Sequence, residues 1–554
     1  MNGPKTEQAQ RLDTEKYRGK GESFKDATCR VASALKDGED HYHTVKEITG
    51  DQRFLFGGRI RAAMGQPKTV TPYNCFVAPT IEDSLTEGKN CIMDTASIAA
   101  TTMRMGGGIG YDFSTLRPRG ALINKLDSAS SGPVSFMSIF DSVCGTISSS
   151  GHRRGAQMGV MRVDHPDIFE FINAKHDQST LTGFNMSVGV TDEFMEALAN
   201  DEDFDLRFNG KVYQTVKAAD LWETLMRSTW DWGEPGVIFI DRMNEYNNLY
   251  YCETIATTNP CAEQPLPPNG ACLLGSFNMT KYVKANGTMD KGQLVHWFNF
   301  IQLKEDIPHI VRALDNVVDR AVYPLYEQEK EAKNKRRMGI GVTGMANALE
   351  IMGLPYGSPE YLVMMEDILK TLTNEAYKAS ALLAKEKGSF PLFDKRKYMK
   401  SKFIERLDED TKGLIKKHGI RNSHLISIAP TGTISQTADN VSTGIEPVFT
   451  LSQKRIIQEF GGAREELLLD YAYNFYGVEG KTVVEVSTKE HIDVLCVGQK
   501  YCDSGVSKTC NVPKDTEWED FKQIYLDAYT GGAKGCSTFT MEGKRAGILT
   551  EVKE

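Results

Sequence analysis

No stretch of the 554-residue chain approaches the roughly 18 uninterrupted apolar residues of a membrane span. The first residues, MNGPKTEQAQRLDTEKYRGKGESFKD, lack the apolar core of a secretion signal. A cytoplasmic location with no membrane partner is therefore the expectation. Excess positive charge is also missing. The formal net charge is -9 and the pI is near 5.7, which argues against a surface built for the nucleic-acid backbone. Eleven cysteines occur, but no two are spaced as CxxC. That excludes the usual structural zinc site, and no metal is expected. The odd count and irregular spacing do not suggest a disulfide scaffold, and in a reducing compartment most of these residues should be thiols. There is no internal repeat, low-complexity tract or proline-rich linker.

What is present is an average soluble composition, 40% hydrophobic and 25% charged. Residues 1–50 are polar with a helical pattern (FKDATCRVASALKDG) and read as an N-terminal helical extension. Beyond them short β-rich runs (NCFVAP, GVIFID, TVVEVS) alternate with longer helical segments. Among these are MDTASIAATTMRM, VSFMSIFDSVCGTI, WETLMRSTWDW, FNFIQLKEDIPHIVRALDNVV and EYLVMMEDILKTLTNEAYKASALLAKEKG. The charged FDKRKYMKSKFIERLDEDTKGLIKKHG reads as a solvated helical surface. Such alternation implies an α/β architecture with parallel strands, in one large domain over residues 51–545.

One segment stands apart. In TTNPCAEQPLPPNGACLLGSFN, Pro260, Pro265, Pro267 and Pro268 exclude a helix interior or a central strand. Asn259, Cys261 and Glu263 are thus displayed on a constrained loop, and Cys272 follows eleven residues after Cys261. A thiol, a carboxylate and an amide in that grouping suit chemistry more than packing. A cysteine nucleophile would require a histidine base. None of the ten histidines lies in a motif that offers one, and His152 and His165 read as surface or structural. APTGTIS, residues 429–435, sets small residues and hydroxyls on a turn able to cradle a diphosphate. GGGIG, residues 106–110, is not a GxGxxG dinucleotide fingerprint.

The ordered series NCFVAPTIEDS, RMGGGIGYDFSTLRPRGA, GHRRGAQMGVMRVDHPDIFEFINAK, NPCAEQPL, GACLLGSFN, RRMGIGVTG, APTGTISQTADNVSTGIEPVF and QKYCDSGVSKTCNVP resembles ribonucleotide reductase catalytic subunits. It looks most like the adenosylcobalamin-dependent class II. The resemblance implies a ten-stranded α/β barrel of two antiparallel five-stranded parallel half-sheets, with a central finger loop. It implies that Cys261 becomes a thiyl radical, that Glu263 removes the 3′-OH proton and that Asn259 holds the ribose hydroxyls. Cys75 and Cys272 would be the pair that reduces the 2′ position and closes a disulfide. Asn74, Gly107, Gly108 and the run Pro430, Thr431, Gly432, Thr433, Ile434 and Ser435 would meet the substrate. Asp83, Arg117, Arg153 and Arg154 would bind an effector, a dNTP or ATP, at a homodimer interface, with Mg accompanying the nucleotide phosphates.

Near the C-terminus, Cys536, Ser537 and Thr538 stand where the class I subunits carry two adjacent tyrosines. Adenosylcobalamin is the radical source this favours. No glycyl-radical motif of class III is evident. Residues 546–554 carry no redox cysteine pair, so an external thiol such as thioredoxin or glutaredoxin is a candidate reductant. The short N-terminus leads us to expect no ATP-binding activity switch. Cys496, Cys502 and Cys510 read as structural. Two other readings stand beside this one: a class I large subunit that needs a radical-generating partner, and a non-catalytic nucleotide-binding regulator.

Overall fold

The computed structural model describes residues 3–67, 70–123, 127–149, 153–177, 179–290, 293–459 and 462–540. His152, the 546–554 tail and the end of the 51–545 unit beyond residue 540 lie outside them.

The expected alternation becomes a mixed α/β fold around one large sheet. We number its strands and their neighbours as β1 (Cys75–Val77), β2 (Gly108–Asp112), β3 (Gln157–Arg162), β4 (Phe184–Val190), β5 (Gly236–Phe239), β6 (Thr257–Thr258), β7 (Pro265–Leu266), β8 (Ala271–Cys272), β9 (Leu274–Asn278), β10 (Gly339–Thr343), β11 (Thr509–Val512) and β12 (Gly535–Thr540). Eight of them form one sheet in the order β8-β1-β2-β3-β4-β5-β12-β11. β1 to β5 are mutually parallel. The junctions of β8 with β1 and of β5 with β12 are antiparallel, and the outermost β11 runs parallel to β12. A second sheet pairs Phe54–Phe56 antiparallel to β9, and β9 parallel to β10. Isolated parallel bridges join Ile340 to Ile426 and Ile428 to Val506.

Strands β4, β5, β9 and β10 are buried along almost their whole length. That is the mark of parallel sheet covered on both faces. The covering helices arise where the sequence predicted them. Phe300–Arg320 is capped by the Asn299 side chain and buries Leu303, Ile307, Ile310, Val311, Leu314, Val317 and Val318, a helical stripe. Pro359–Lys387 starts with Pro359 in its first turn behind the Ser358 cap and stops at Gly388, whose φ of 83° suits glycine. The charged segment after it breaks into three short helices, Lys395–Tyr398, Lys402–Glu405 and Glu409–His418. No helix among the described residues is long and apolar enough to cross a membrane.

One strand expectation fails. TVVEVS forms a single bridge at Thr482 and then turns. Its β-branched residues are overruled by local capping. The Glu485 carboxylate accepts from Thr482 N and Oγ1 at 2.8 and 2.7 Å. Ser487 then opens the helix Thr488–Lys500 with a capping box to Glu490. His165 is buried, its ring bonded to Leu116 O at 2.9 Å and accepting from Asp167 N at 3.0 Å, so it is structural.

Glu350 sits buried in the helix Met345–Ile351, and burial pushes its carboxyl up to about 8 although Lys481 N donates to it at 2.7 Å. In an unfolded chain the group ionises near 4.5. The neutral form therefore favours the fold fully below that pH, and this contribution is lost as pH rises toward 8. Glu350→Gln should match the wild type in thermal stability near pH 4.5 and exceed it increasingly up to about pH 8. A stability difference that does not change with pH would refute the assignment.

Candidate active site

The proline-rich segment folds as the sequence demands. β6 and β7 pair antiparallel, Thr257 opposite Leu266 and Thr258 opposite Pro265, and present residues 259–264 as a tight tip. Asn259 ties the tip across its base. Its N–H donates to Gln264 O at 3.1 Å, its Oδ1 accepts from Gln264 N at 2.9 Å, and its carbonyl accepts from Ala262 N at 3.0 Å. Ala262 takes a φ of 64°, the left-handed conformation that lets the chain double back within four residues. Asn259 and Glu263 are fully or almost fully buried, whereas Cys261 is partly exposed. The Asn259 Nδ2 donor has no partner among the described residues.

This tip passes close to the sheet. A side chain at Gly110 of β2 would come within 1.9 Å of Thr258 O, and one at Gly108 within 3.1 Å of the Pro260 ring and 3.2 Å of Cys75 Sγ. Thr257 Oγ1 donates to Tyr111 O at 3.1 Å. The glycine run is thus an approach path for the loop. Gly107 serves packing: a side chain there would meet the Phe76 ring at 2.8 Å and Thr102 at 3.1 Å.

Cys75 and Cys272, far apart in sequence, are direct cross-strand partners at the antiparallel junction of β1 and β8. Residues so opposed have Cα atoms roughly 4.5–5.5 Å apart, inside the range a disulfide spans. Both are buried, and they share a small apolar cluster with Val77, Leu266, Leu274 and Ala429. Burial holds the Cys272 thiol far above its ordinary value, and the nearby Glu263, Cys75 and Cys261 push the same way. Glu263, Cys75 and Cys261 are thereby each in electrostatic reach of Cys272, and Asn259 lies on the same tip as Cys261 and Glu263.

Ala429 leads from that cluster into the 430–435 turn. Thr431 adopts a φ of 50°, and its hydroxyl accepts from Gly444 N at 2.8 Å and meets Thr343 Oγ1 at 3.0 Å. Ser435 donates to Gly432 O at 2.8 Å. These two hydroxyls hold the turn itself. Ile434 and Ser435 are buried and Pro430 is half-buried, so Gly432 and Thr433 form its exposed edge. Asn74 is half-buried beside Cys75, with Oδ1 lacking a partner among the described residues.

The residues assigned to an effector lie elsewhere. Asp83 accepts from Arg117 Nε at 2.7 Å and from Arg117 N at 3.1 Å, and Arg117 Nη1 also reaches Leu122 O at 3.0 Å. Arg153 and Arg154 form a two-residue strand paired with Ser148 and Ser149, and their side chains lie outside the described residues. On β12, Cys536 and Thr538 are buried and Ser537 is exposed; Thr538 Oγ1 meets Tyr525 OH at 2.9 Å. Cys496 is on the helix Thr488–Lys500, Cys510 on β11, and Cys502 is buried between them in sequence. No group of three His, Cys, Asp or Glu among the described residues could hold a metal ion.

Sequence reasoning missed three residues that touch the tip: Asn185, Ser427 and Gly505. Gly505 lies within QKYCDSGVSKTCNVP, Ser427 just before APTGTIS and Asn185 in GFNMSVGV, but nothing in those strings says which buried carbonyl each will meet.

With this geometry in view, comparison with known proteins is decisive about kinship. Residues 73–539 match the family described as ribonucleotide reductase, barrel domain. The chain belongs to the ribonucleotide reductase family. It is 35% identical over 508 residues to the vitamin B12-dependent ribonucleoside-diphosphate reductase of Thermoplasma acidophilum, covering 86% of this chain and 62% of that protein. It is 34% identical over 507 residues to the protein of the same name from Mycobacterium tuberculosis H37Rv, covering 86% and 67%. A ribonucleoside-diphosphate reductase subunit alpha from Chlamydia pneumoniae is 25% identical over 548 residues, covering 83% and 51%. The chain thus spans about two thirds or less of these relatives' lengths.

Diamide oxidation followed by non-reducing peptide mapping should yield a Cys75–Cys272 cross-linked peptide before any other pairing. Cys261 linked first to either partner, or both cysteines still open to alkylation, would contradict this geometry.

Proposed function

We propose that this chain is the catalytic barrel of a ribonucleotide reductase that converts ribonucleoside di- or triphosphates to 2′-deoxyribonucleotides. The observation that carries the reading is the convergence of a partly exposed Cys261 with Glu263 and the opposed, buried pair Cys75 and Cys272. Cys261, as a thiyl radical, takes the 3′ hydrogen of the ribose and gives it back at the end of the cycle, which regenerates the thiyl radical. Glu263 removes the 3′-OH proton, and Asn259 holds the hydroxyls through its Nδ2, which has no partner among the described residues. The 2′-OH leaves as water. Cys75 and Cys272 supply the two electrons and two protons, and one S–S bond replaces two S–H bonds. Burial of the pair keeps water and oxygen from the intermediates.

The fold in this reading is a ten-stranded ring. Strands β1 to β5 make one parallel half. Residues 271–278, 339–343, 426–428, 506–512 and 535–540 make the other, joined through the bridges Ile340–Ile426 and Ile428–Val506. The antiparallel junctions β8–β1 and β5–β12 close it. Residues 1–50 are the helical extension and 51–545 the barrel. Gly432 and Thr433 offer the exposed edge of the phosphate turn, and Gly108 and Asn74 line the ribose side.

Adenosylcobalamin is the radical source we favour. The names of the relatives support it, as does the absence of a tyrosine pair at 536–538. The residues fit such a group, because Cys261 is the one of the three site cysteines that is partly exposed. When bound, it would supply the homolysis that makes Cys261 a radical. The Asp83–Arg117 pair, with Arg153 and Arg154, is our candidate effector region at a homodimer interface. A thioredoxin- or glutaredoxin-type thiol would reopen the disulfide in the reducing cytoplasm.

Anaerobic incubation with CDP or CTP, dithiothreitol and adenosylcobalamin should yield deoxycytidine nucleotide, with none when the cobalamin is omitted. Cys261→Ser should abolish product while nucleotide binding persists, and Cys272→Ser should prevent repeated turnover. Product only on addition of a metal-bearing partner subunit would replace the cobalamin reading with a class I one. Nucleotide binding without any turnover would favour a regulator.

A further inference from the structure

The peptide carbonyls on either side of Cys261 are each held from a different part of the molecule. Pro260 O accepts from Asn185 Nδ2 of β4 at 2.8 Å. Glu263 O accepts twice, from Ser427 Oγ at 2.8 Å and from Gly505 N at 2.8 Å. A side chain at Gly505 would fall 2.9 Å from Ala262 O and 3.1 Å from Glu263 O, so the chain is pressed onto the loop at that point.

The second grip is itself braced. Ile428 N donates to Gly505 O at 3.2 Å and Ser504 N to Ile426 O at 3.2 Å, which locks segments 426–428 and 504–506 together. Behind them the buried Asp503 carboxylate accepts from Leu425 N at 2.7 Å and from Tyr377 OH at 2.6 Å. The buried Lys534 Nζ donates to Asp503 O at 2.6 Å and Ser504 O at 2.8 Å. Ser427 is 1% exposed and its hydroxyl is committed to the loop, so it has no route to a substrate. Buried polar groups with such complete partnering specify one arrangement.

We propose that Asn185 and Ser427 are the positioning residues that seat the radical loop, fixing the Cys261 sulfur relative to Glu263 and to the Cys75–Cys272 pair from opposite sides. This rests on the reductase reading above. Hydrogen transfer needs the donor and acceptor near contact distance, and a shift of about 1 Å can cost about 100-fold in rate. Neither residue need touch the reacting atoms for that.

Ser427→Ala removes one of two donors to Glu263 O. Asn185→Asp keeps the shape but replaces the donor to Pro260 O with an acceptor. Each should lower kcat about 10- to 100-fold with KM for the nucleotide changed less than about twofold. In the chain without nucleotide, each should also speed iodoacetamide alkylation of Cys261 several-fold by peptide mass spectrometry, with Cys91 and Cys536 as slow as in the wild type. Ser427→Thr, which keeps the hydroxyl, should restore both readouts. Unchanged kcat, unchanged Cys261 alkylation, or equal acceleration at Cys91 and Cys536 would overturn the proposal. Absence of turnover in the wild type would instead sink the reductase reading, and the alkylation rates would still decide whether these two residues seat the loop.

Discussion

A loop buried inside a protein must find partners for its own N–H and C=O groups, because water cannot supply them there. The tip at residues 259–264 meets that constraint in two ways, and the surrounding structure follows from both. Internally, Asn259 uses its backbone N–H, its carbonyl and its side-chain oxygen to close the turn. Externally, Pro260 O and Glu263 O are taken by Asn185, Ser427 and Gly505. The glycines at 108 and 110 are a consequence, since a Cβ at 110 would collide with Thr258 O. So is the choice of proline at 260 and 265: these residues lack an N–H, which removes two donors that would otherwise need partners.

The antiparallel junction does comparable work for the cysteines. A purely parallel sheet would need a crossover between neighbouring strands, whereas β8 runs against β1 and sets Cys272 directly opposite Cys75. Pairing two thiols across a ladder fixes their separation by backbone geometry. Their burial then has a second effect. It raises the Cys272 thiol well above its ordinary value, and Glu263, Cys75 and Cys261 reinforce this by penalising the thiolate.

Much of this was legible in the sequence, and the limit falls at a definite place. The constrained loop was readable because four prolines leave few backbone choices, and the long helices because their apolar stripes repeat at helical spacing. TVVEVS misled because β-branched residues favour strand only where a partner strand is available, and here Glu485 and Ser487 bond the backbone locally first. In APTGTIS the hydroxyl-bearing residues were visible, but not that Thr431 and Ser435 turn inward to Gly444, Thr343 and Gly432. Ser427 and Asn185 were invisible as functional candidates for the same reason. Their partners, Glu263 O and Pro260 O, are backbone atoms 164 and 75 residues away. No string pattern encodes a side chain bonded to a distant carbonyl.

The N-terminal helices, Glu7–Tyr17, Phe24–Leu35 and Glu39–Gly50, are part of the same construction. Val31, Leu35, Val45 and Ile48 belong to the apolar core that also contains Phe277, Leu314 and Ile340. At the start of the first helix, Lys5 N and Thr6 N donate to Asp439 Oδ1 at 2.7 and 2.8 Å. Further along that helix the buried Asp13 pairs with Arg18 at 2.6 Å and with Arg61, and Arg61 Nη1 reaches Thr437 Oγ1 at 3.1 Å. Gln52 Nε2 donates to Thr437 O at 2.9 Å. Residues 437 and 439 directly follow the 430–435 turn, so the N-terminal segment anchors that turn from behind while Thr343 and Gly444 hold it from within. A helical extension distinct by composition is, by its hydrogen bonds, tied to the segment that follows the 430–435 turn.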